Sequence, residues 1–440
     1  MQEYFSSLAS ALQDFLRGGE IYLCNFSAEE SDFIRFNHSA VRQAGSVAQR
    51  FLELDLIDRR RHAAGTLSLA GDPSTDLPRL ADLVARLRET RACVPEDPFL
   101  LYATQGRSTE RHQDYQLPDR DAVVDEVCRV GRDRDLVGIY AAGATHAGFA
   151  SSFGQRNWYT SHSYNLDWSF FHSADRAVKA AYAGFTWRPD ELCRIVDRAA
   201  AQLDVLRRPA RTIDRGRYRV YLAPTALYEI ISLLGWGGFG LRAHRSKTTP
   251  LLRMIEQEAA LHPSVDIVEN TRDGFAPDFQ EQGFLRPDEV TLVGNGVYRD
   301  CLVSPRSSLE YGVPTNGASA GEAPLSVDVA AGGLPTSRVL RELGTGVYVG
   351  NLWYLNFSDR GACRTTGMTR FATFWVEGGE IQAPLNVMRF DETLYRMLGE
   401  NLIALTSERE TILDGGTYGR RSTDSARLPG ALVDDFTFTL

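Results

Sequence analysis

Near the start of the chain Phe5, Leu8, Leu12 and Phe15 recur at i, i+3, i+7 and i+10, one stripe of an amphipathic helix. Gly18-Gly19 supplies its stop. Ile21–Phe26 follows as a strand, and Asp32–Leu54 reads as two strands joined around Asn37–Gly45. Leu77, Leu80, Val84 and Leu87 share one side of a helix predicted over 77–90. A further helix near 119–133 leads into the apolar strand Leu136–Tyr140.

The cleanest β pattern lies within 148–187. In His162–His172 every even position (His162, Tyr164, Leu166, Trp168, Phe170, His172) falls on one face, while the odd positions are mostly Ser, Asn and Asp. That alternation predicts a half-buried strand. Gly148–Phe153 and Ala177–Trp187 are expected to pair with it as an antiparallel meander. A helix at 190–206 then runs into the basic, proline-containing stretch Arg207–Gly216, the best candidate linker.

Beyond the linker come a strand, Tyr218–Leu222, a helix, Ala223–Gly235, and a glycine-rich turn, Gly235–Gly240. A helix near 246–260 is expected next, then a strand-rich tail in which Gly294-Asn295-Gly296 joins Val290–Val293 to Val297–Val303 as a hairpin. The fold class is α+β in two domains. Residues 1–210 form an N-terminal mixed domain with the antiparallel meander, and 211–440 a strand-rich C-terminal domain. The length of 440 residues suits two cores of roughly 200 residues each. No internal repeat or low-complexity tract is present.

The net charge of −9 argues against a dedicated nucleic-acid binder, because no basic excess exists to neutralise phosphates. The run Arg59-Arg60-Arg61 reads as solvated surface. No stretch approaches the roughly 20 apolar residues that span a bilayer, and Met1–Leu8 lacks the basic and apolar regions of a signal peptide. The six cysteines (Cys24, Cys93, Cys128, Cys193, Cys301, Cys363) are scattered without a C-x-x-C pair, so neither a disulfide framework nor a zinc knuckle is expected. The expectation is a cytoplasmic protein with reduced thiols.

Catalytic patterns are sparse. There is no G-x-S-x-G elbow and no Walker loop, and Gly235–Gly240 follows a helix rather than preceding one, so it is a turn and not a phosphate cradle. The histidines (His38, His62, His112, His146, His162, His172, His244, His262) include no pair at i, i+3 to i+5. His162 and His172 lie about 33 Å apart along an extended strand and cannot share an ion. Cys363 reads as a small core residue. The aromatic face of 162–172 reads as core packing, with a peptide-binding surface as the other possibility.

Three stretches of the C-terminal half are family-specific. Asn351–Pro384 is a small-residue strand, then an apolar strand, then a Gly-Gly turn and Glu380-Ile-x-x-Pro384. Asp288–Gly296 runs from a strand into Gly-Asn-Gly, and Ser304–Gly317 ends in Pro-Thr-Asn-Gly. With the weaker Phe33–Gly45 hairpin, the chain resembles the TldD/PmbA (TldD/TldE) family of zinc metallopeptidases, most strongly over 215–440 and closest to the TldE (PmbA) branch.

The resemblance implies a test of the helix at 223–235. Active members carry His-Glu-x-x-x-His there, two imidazoles for zinc and a Glu that takes a proton from the metal-bound water. Here Tyr228 and Leu233 stand at the histidine positions, and Glu229 is the only motif position retained. The family's third ligand, a Cys in Gly-x-Cys-Gly-Lys, falls on Tyr418 of Gly415–Arg420. Leu227, Ile230, Ile231 and Leu234 give the helix an apolar register that core packing explains.

The resemblance therefore implies no catalytic residue and no metal or cofactor in this chain, with zinc held by a TldD-like partner. The implied assembly, a heterodimer or higher, would trim or degrade unfolded or leader peptides in the cytoplasm, and a homodimer stays open. Two alternatives are a non-hydrolytic peptide-binding or maturation-accessory protein, and a self-sufficient metallopeptidase with relocated ligands.

Overall fold

The protein, a computed structural model, is described over residues 1–173 and 176–440; Ala174 and Asp175 of the predicted 148–187 region lie outside the described residues. The first half builds a seven-stranded sheet. Its strands are β1 (Ile21–Asn37), β2 (Ala40–Asp58), β3 (Arg61–Ser68), β4 (Thr109–His112), β5 (Asp135–Ser151), β6 (Arg156–Ser173) and β7 (Arg176–Gly184). The spatial order is β3-β2-β1-β5-β6-β4, with β7 also on β6. Among the described residues four helices belong to this half: α1 (Gln2–Phe15), α2 (Pro73–Cys93), α3 (Arg120–Gly131) and α4 (Pro189–Leu206).

The α1 stripe behaves as its spacing requires, with Phe5, Leu8 and Leu12 buried. α2 begins four residues before the predicted 77, because Asp72 caps the Ser74 amide and Pro73 occupies the first turn. Ile21–Phe26 and the strand after it are not separate elements. They are one 17-residue strand, β1, paired to β2 from Ile21↔Ile57 to Asn37↔Ala40 with a single register shift between Arg35 and Phe36. The turn is also tighter than expected: His38 and Ser39 both take positive φ (49° and 59°) and close the hairpin. Arg59 and Arg60 make the exposed turn into β3.

The second half builds an 11-stranded sheet. It comprises β8 (Gly216–Leu222), β9 (Ile267–Asn270), β10 (Glu289–Gly294), β11 (Val297–Tyr298), β12 (Ser326–Val329) and β13 (Gly346–Asp359). β14 (Arg364–Glu377), β15 (Glu380–Pro384), β16 (Arg389–Thr393), β17 (Leu402–Leu413) and β18 (Ser425–Phe438) complete it. The helix α5 (Pro224–Ser232) lies against β13 and β18. It carries Ala226, Leu227, Ile230 and Ile231 into the main core of this half.

The predicted helix at 246–260 does not form. Two short turns of helix, Leu241–Arg245 and Leu252–Ile255, stand there instead. Pro250 has no N–H for a helix ladder and disfavours α geometry at Thr249, and Lys247 sits at φ 57°. The Gly294–Gly296 hairpin does form, with Asn295 and Gly296 at φ 53° and 72°. Its second strand ends at Tyr298, short of the expected Val303.

β6 corrects the half-buried reading. Its even residues Tyr164, Leu166, Trp168 and Phe170 pack into a core with α3 and α4. Its odd residues Asn157, Ser161, Ser163 and Asn165 are buried as well. The second half of the chain covers part of this face: Tyr159 Oη donates to the Phe275 carbonyl at 3.0 Å, and Asn165 Nδ2 to the Leu413 carbonyl at 3.2 Å, while Asn157 Nδ2 donates within the first half to the Arg107 carbonyl at 3.0 Å. The polar face of the first sheet is thus where the two halves meet. No helix among the described residues is long and apolar enough to cross a membrane.

Candidate functional site

Between the sheets lies a cleft of about 1010 Å³. The first half contributes β7 from Val178 to Gly184 and the inner side of α4 with Arg198 and Gln202. The second half contributes the β17 segment Glu408–Thr411, and Ala223–Thr225 at the start of α5. Tyr221, Tyr348 and Phe371 give it aromatic wall, and the wall's charges are mostly paired. Arg198 Nη2 donates to Glu410 at 2.8 Å, and Gln202 Nε2 to Tyr348 Oη at 3.1 Å. Asp328, almost fully buried, is gripped by Arg409 and by Arg427, whose Nε lies 2.9 Å away. Among the described residues β7 pairs only with β6, so its other edge has no strand partner, and Val178–Gly184 line this space.

α5 starts at the cleft wall. The Ala223 amide donates to the Val349 carbonyl at 2.9 Å and Thr225 Oγ1 to Gly350 at 2.6 Å, which fixes the helix on β13. The sides of α5 that miss the core present Tyr228 and Glu229, both half-buried. Burial, together with the charges of Asp414, Glu229 and Asp424, pushes the Tyr228 phenol up to about 12. Burial and the nearby Asp167 raise the Glu229 carboxyl above the usual range, against the opposing pull of Lys179. Lys179 is itself paired with Asp167 at 3.3 Å. Leu233 lies one residue beyond the helix, in a 3-10 turn, and is buried.

The segment 414–424 reaches the same place from the other side, with Gly415 beside Asp167. Its anchor is Arg421, buried in the first sheet. The guanidinium donates to Ser31 Oγ (3.3 Å), the Gly143 carbonyl (3.2 Å) and Ser163 Oγ (2.7 Å), and the Arg421 amide donates to Glu29 (3.3 Å). Burial lowers the guanidinium to about 10, which leaves it charged at neutral pH. Gln49 Nε2 holds the Gly419 carbonyl at 2.6 Å. Tyr418, between these anchors, is fully exposed.

The structure thus brings the helix and the loop singled out in the sequence to one region, but not as a metal site. Leu233 has no donor atom, the Tyr228 phenol is held protonated at neutral pH, and Tyr418 points into solvent. This donor set does not fit zinc, which needs deprotonated or imidazole ligands. Among the described residues no three His, Cys, Asp or Glu side chains gather in a way that could hold a metal ion. Cys363 is buried in the core of the second half, and burial pushes its thiol up to about 12. Gly238 packs so tightly that a Cβ would fall 2.5 Å from the Leu234 carbonyl, which explains the glycine-rich turn as close backbone packing.

Asp167, Lys179 and Arg421 were not marked by any sequence motif. Alternation places Asp167 off the aromatic face of β6, yet nothing local says what lies opposite.

Two sheets with a cleft between them, and a helix and a loop that meet beside it, make up the candidate site. Residues 215–440 match the family model described as the PmbA/TldA metallopeptidase C-terminal domain, and the chain belongs to the PmbA/TldD family. Its fold is also that of TldE from Thermococcus kodakarensis, with a TM-score of 0.79 at 12% identity over 99% of this chain and 100% of that one. A protein of Thermotoga maritima described as a candidate modulator of a DNA gyrase gives 0.76 at 14% identity, covering 99% of both chains. One of Bacteroides thetaiotaomicron with a similar description gives 0.76 at 14%, covering 99% and 98%. These identities establish the shared fold. No curated protein matches the sequence.

Proposed function

We infer that this chain is a TldE-like, metal-free subunit of a cytoplasmic TldD/TldE-type peptidase, in which a TldD-like partner holds the zinc. The observation that carries the reading is the contrast within one site. All three ligand positions lack a usable donor, while the cleft beside them is intact and has an open strand edge. A peptide laid along β7 would pair by main-chain hydrogen bonds, which tolerate many side chains and suit unfolded or leader peptides. This subunit then supplies cleft wall and subunit contact, and hydrolysis belongs to the partner.

The test is to purify the chain alone, a TldD-like protein from the same genome alone, and the two co-expressed. A stable complex is expected, with zinc in proportion to the partner only and peptide cleavage that depends on both. Stoichiometric zinc in this chain alone would sink the reading in favour of relocated ligands. If no complex and no added activity appear, the non-hydrolytic accessory role takes its place.

A further inference from the structure

At the outer end of the cleft the second sheet has an unpaired edge. Among the described residues β13 pairs with β8 only over Val347–Val349, and from Leu352 onward its β8 side has no strand partner. Two large aromatic side chains stand exposed on this stretch, Trp353 at 50% and Tyr354 at 77%. The backbone is strained at the same place. Tyr354 and, across the hairpin, Phe371 both take φ 59°, a region that bulky side chains avoid. Register shifts flank the bulge at Val349/Asn351 and Trp353/Asn356.

Arg370 joins these features. Its guanidinium lies over the Trp353 ring at 4.7 Å and over the Phe371 ring at 4.8 Å. On the same strand Arg364 pairs with Asp391 at 3.3 Å, whereas no carboxylate among the described residues pairs with Arg370. Phe371 and Asn351 also line the cleft, so the stack is continuous with the cleft wall.

We propose that this rim, the open β13 edge with the Trp353–Arg370–Phe371 stack, grips an extended peptide leaving the cleft and selects an acidic side chain next to an apolar one. The assignment rests on the peptide-binding reading given above and adds a specificity to it. Main-chain groups of β13 supply sequence-independent pairing, alternate side chains of the added strand fall on the aromatic stack, and the stack's unpaired charge favours a carboxylate. A peptide fits better than a second folded subunit because Asn351 and Phe371 of the rim also line the cleft, so one extended chain can touch both, and because the guanidinium of Arg370 has no carboxylate of its own among the described residues.

The test uses fluorescence anisotropy with two short fluorescein-labelled peptides, one alternating Glu and Leu and the other Lys and Leu, on the chain alone and in complex with its partner. The Glu-Leu peptide is expected to bind about tenfold more tightly. Arg370→Gln should erase that preference by weakening the Glu-Leu peptide alone, and Trp353→Ala should weaken both peptides, with circular dichroism showing that each variant is folded. Equal binding of the two peptides, unchanged by Arg370→Gln, would overturn the rim assignment and leave the cleft reading standing. Failure of both peptides to bind in either setting would overturn the cleft reading and the rim with it. Loss of the complex in Trp353→Ala with peptide binding intact would reassign the patch to a subunit contact.

Discussion

On the even face of β6, Tyr164, Leu166, Trp168 and Phe170 lie under α3 and α4. On the odd face Asn157, Ser161, Ser163 and Asn165 are buried almost as completely, with Ser163 and Asn165 bonded to groups of the second half. The two faces have opposite chemistry and nearly equal burial. The apolar face is closed by elements of its own half, packed without directional bonds. The polar face is closed by the Phe275 and Leu413 carbonyls and the Arg421 guanidinium, each of which must arrive with its hydrogen bonds in place. Burial on the first face stabilises the half by itself; burial on the second fixes how the two halves are held around the cleft.

The largest effect should come from the apolar face. Trp168→Ala removes a side chain only 1% exposed and leaves a cavity under α3 and α4. A loss of about 3–5 kcal/mol is expected, read from the midpoint of urea unfolding with the slope unchanged. Arg421→Met should follow. It leaves Ser163 and the Gly143 carbonyl without their donor and a buried Glu29 without its nearby countercharge. About 2–3 kcal/mol is expected, together with easier proteolysis of 414–424, which keeps the Arg421 amide bond to Glu29 and the Gln49 bond to Gly419 but loses its side-chain anchor in the first sheet. If Arg421→Met costs as much as Trp168→Ala without exposing that segment, the polar face is ordinary core and the contrast breaks. Ser163→Ala should cost about 1 kcal/mol, and in a cycle with Arg421→Met the two costs should fall short of adding, since they delete one shared contact.

The same contrast explains which parts of the fold were legible in the sequence. α1, α2 and α4, and the pairing of β6 with β7, announce themselves because their cores are local and their periodicity is repeated. β5, expected as the separate strands Leu136–Tyr140 and Gly148–Phe153, is one strand, Asp135–Ser151, whose small residues Ala141–Ala144 hide its continuity. The long β1 was split in two because Ser27–Ser31 (Ser-Ala-Glu-Glu-Ser) interrupts its apolar run. Those polar residues are tolerated because the sheet buries Glu29 and Ser31 against Arg421, nearly 400 residues away in sequence. The helix expected at 246–260 was lost to a single proline whose effect outweighed the surrounding propensity. At the site, the Tyr228–Leu233 helix and the Tyr418 loop stood out because a known motif marks them. The cleft, the Asp167–Lys179 pair and the Arg370 stack had no such mark. Each is made by residues that pattern alone sends to the surface, and only the opposing half or strand gives them neighbours.

The smallest effect separates a retained motif residue from a working one. Burial and the charge of Asp167 raise the Glu229 carboxyl above its unfolded value, with Lys179 pulling the other way. A carboxyl raised in this way favours the folded state most below its unfolded pKa of about 4.3. That contribution is lost as pH rises through the folded pKa. At neutral pH the charged Glu229 is therefore a net cost, and Glu229→Gln, which keeps the shape and removes the charge, should raise the melting temperature there. The gain should shrink as pH falls toward 4 and vanish once Glu229 is protonated in both states, which a series of melts from pH 8 to pH 4 would show. The opposite result, a Gln variant that is less stable at neutral pH, would mean that Lys179 holds the carboxylate as a needed ion pair. The α5 face would then belong with the polar face of β6, a junction built from bonds, and not with the helix's own apolar side.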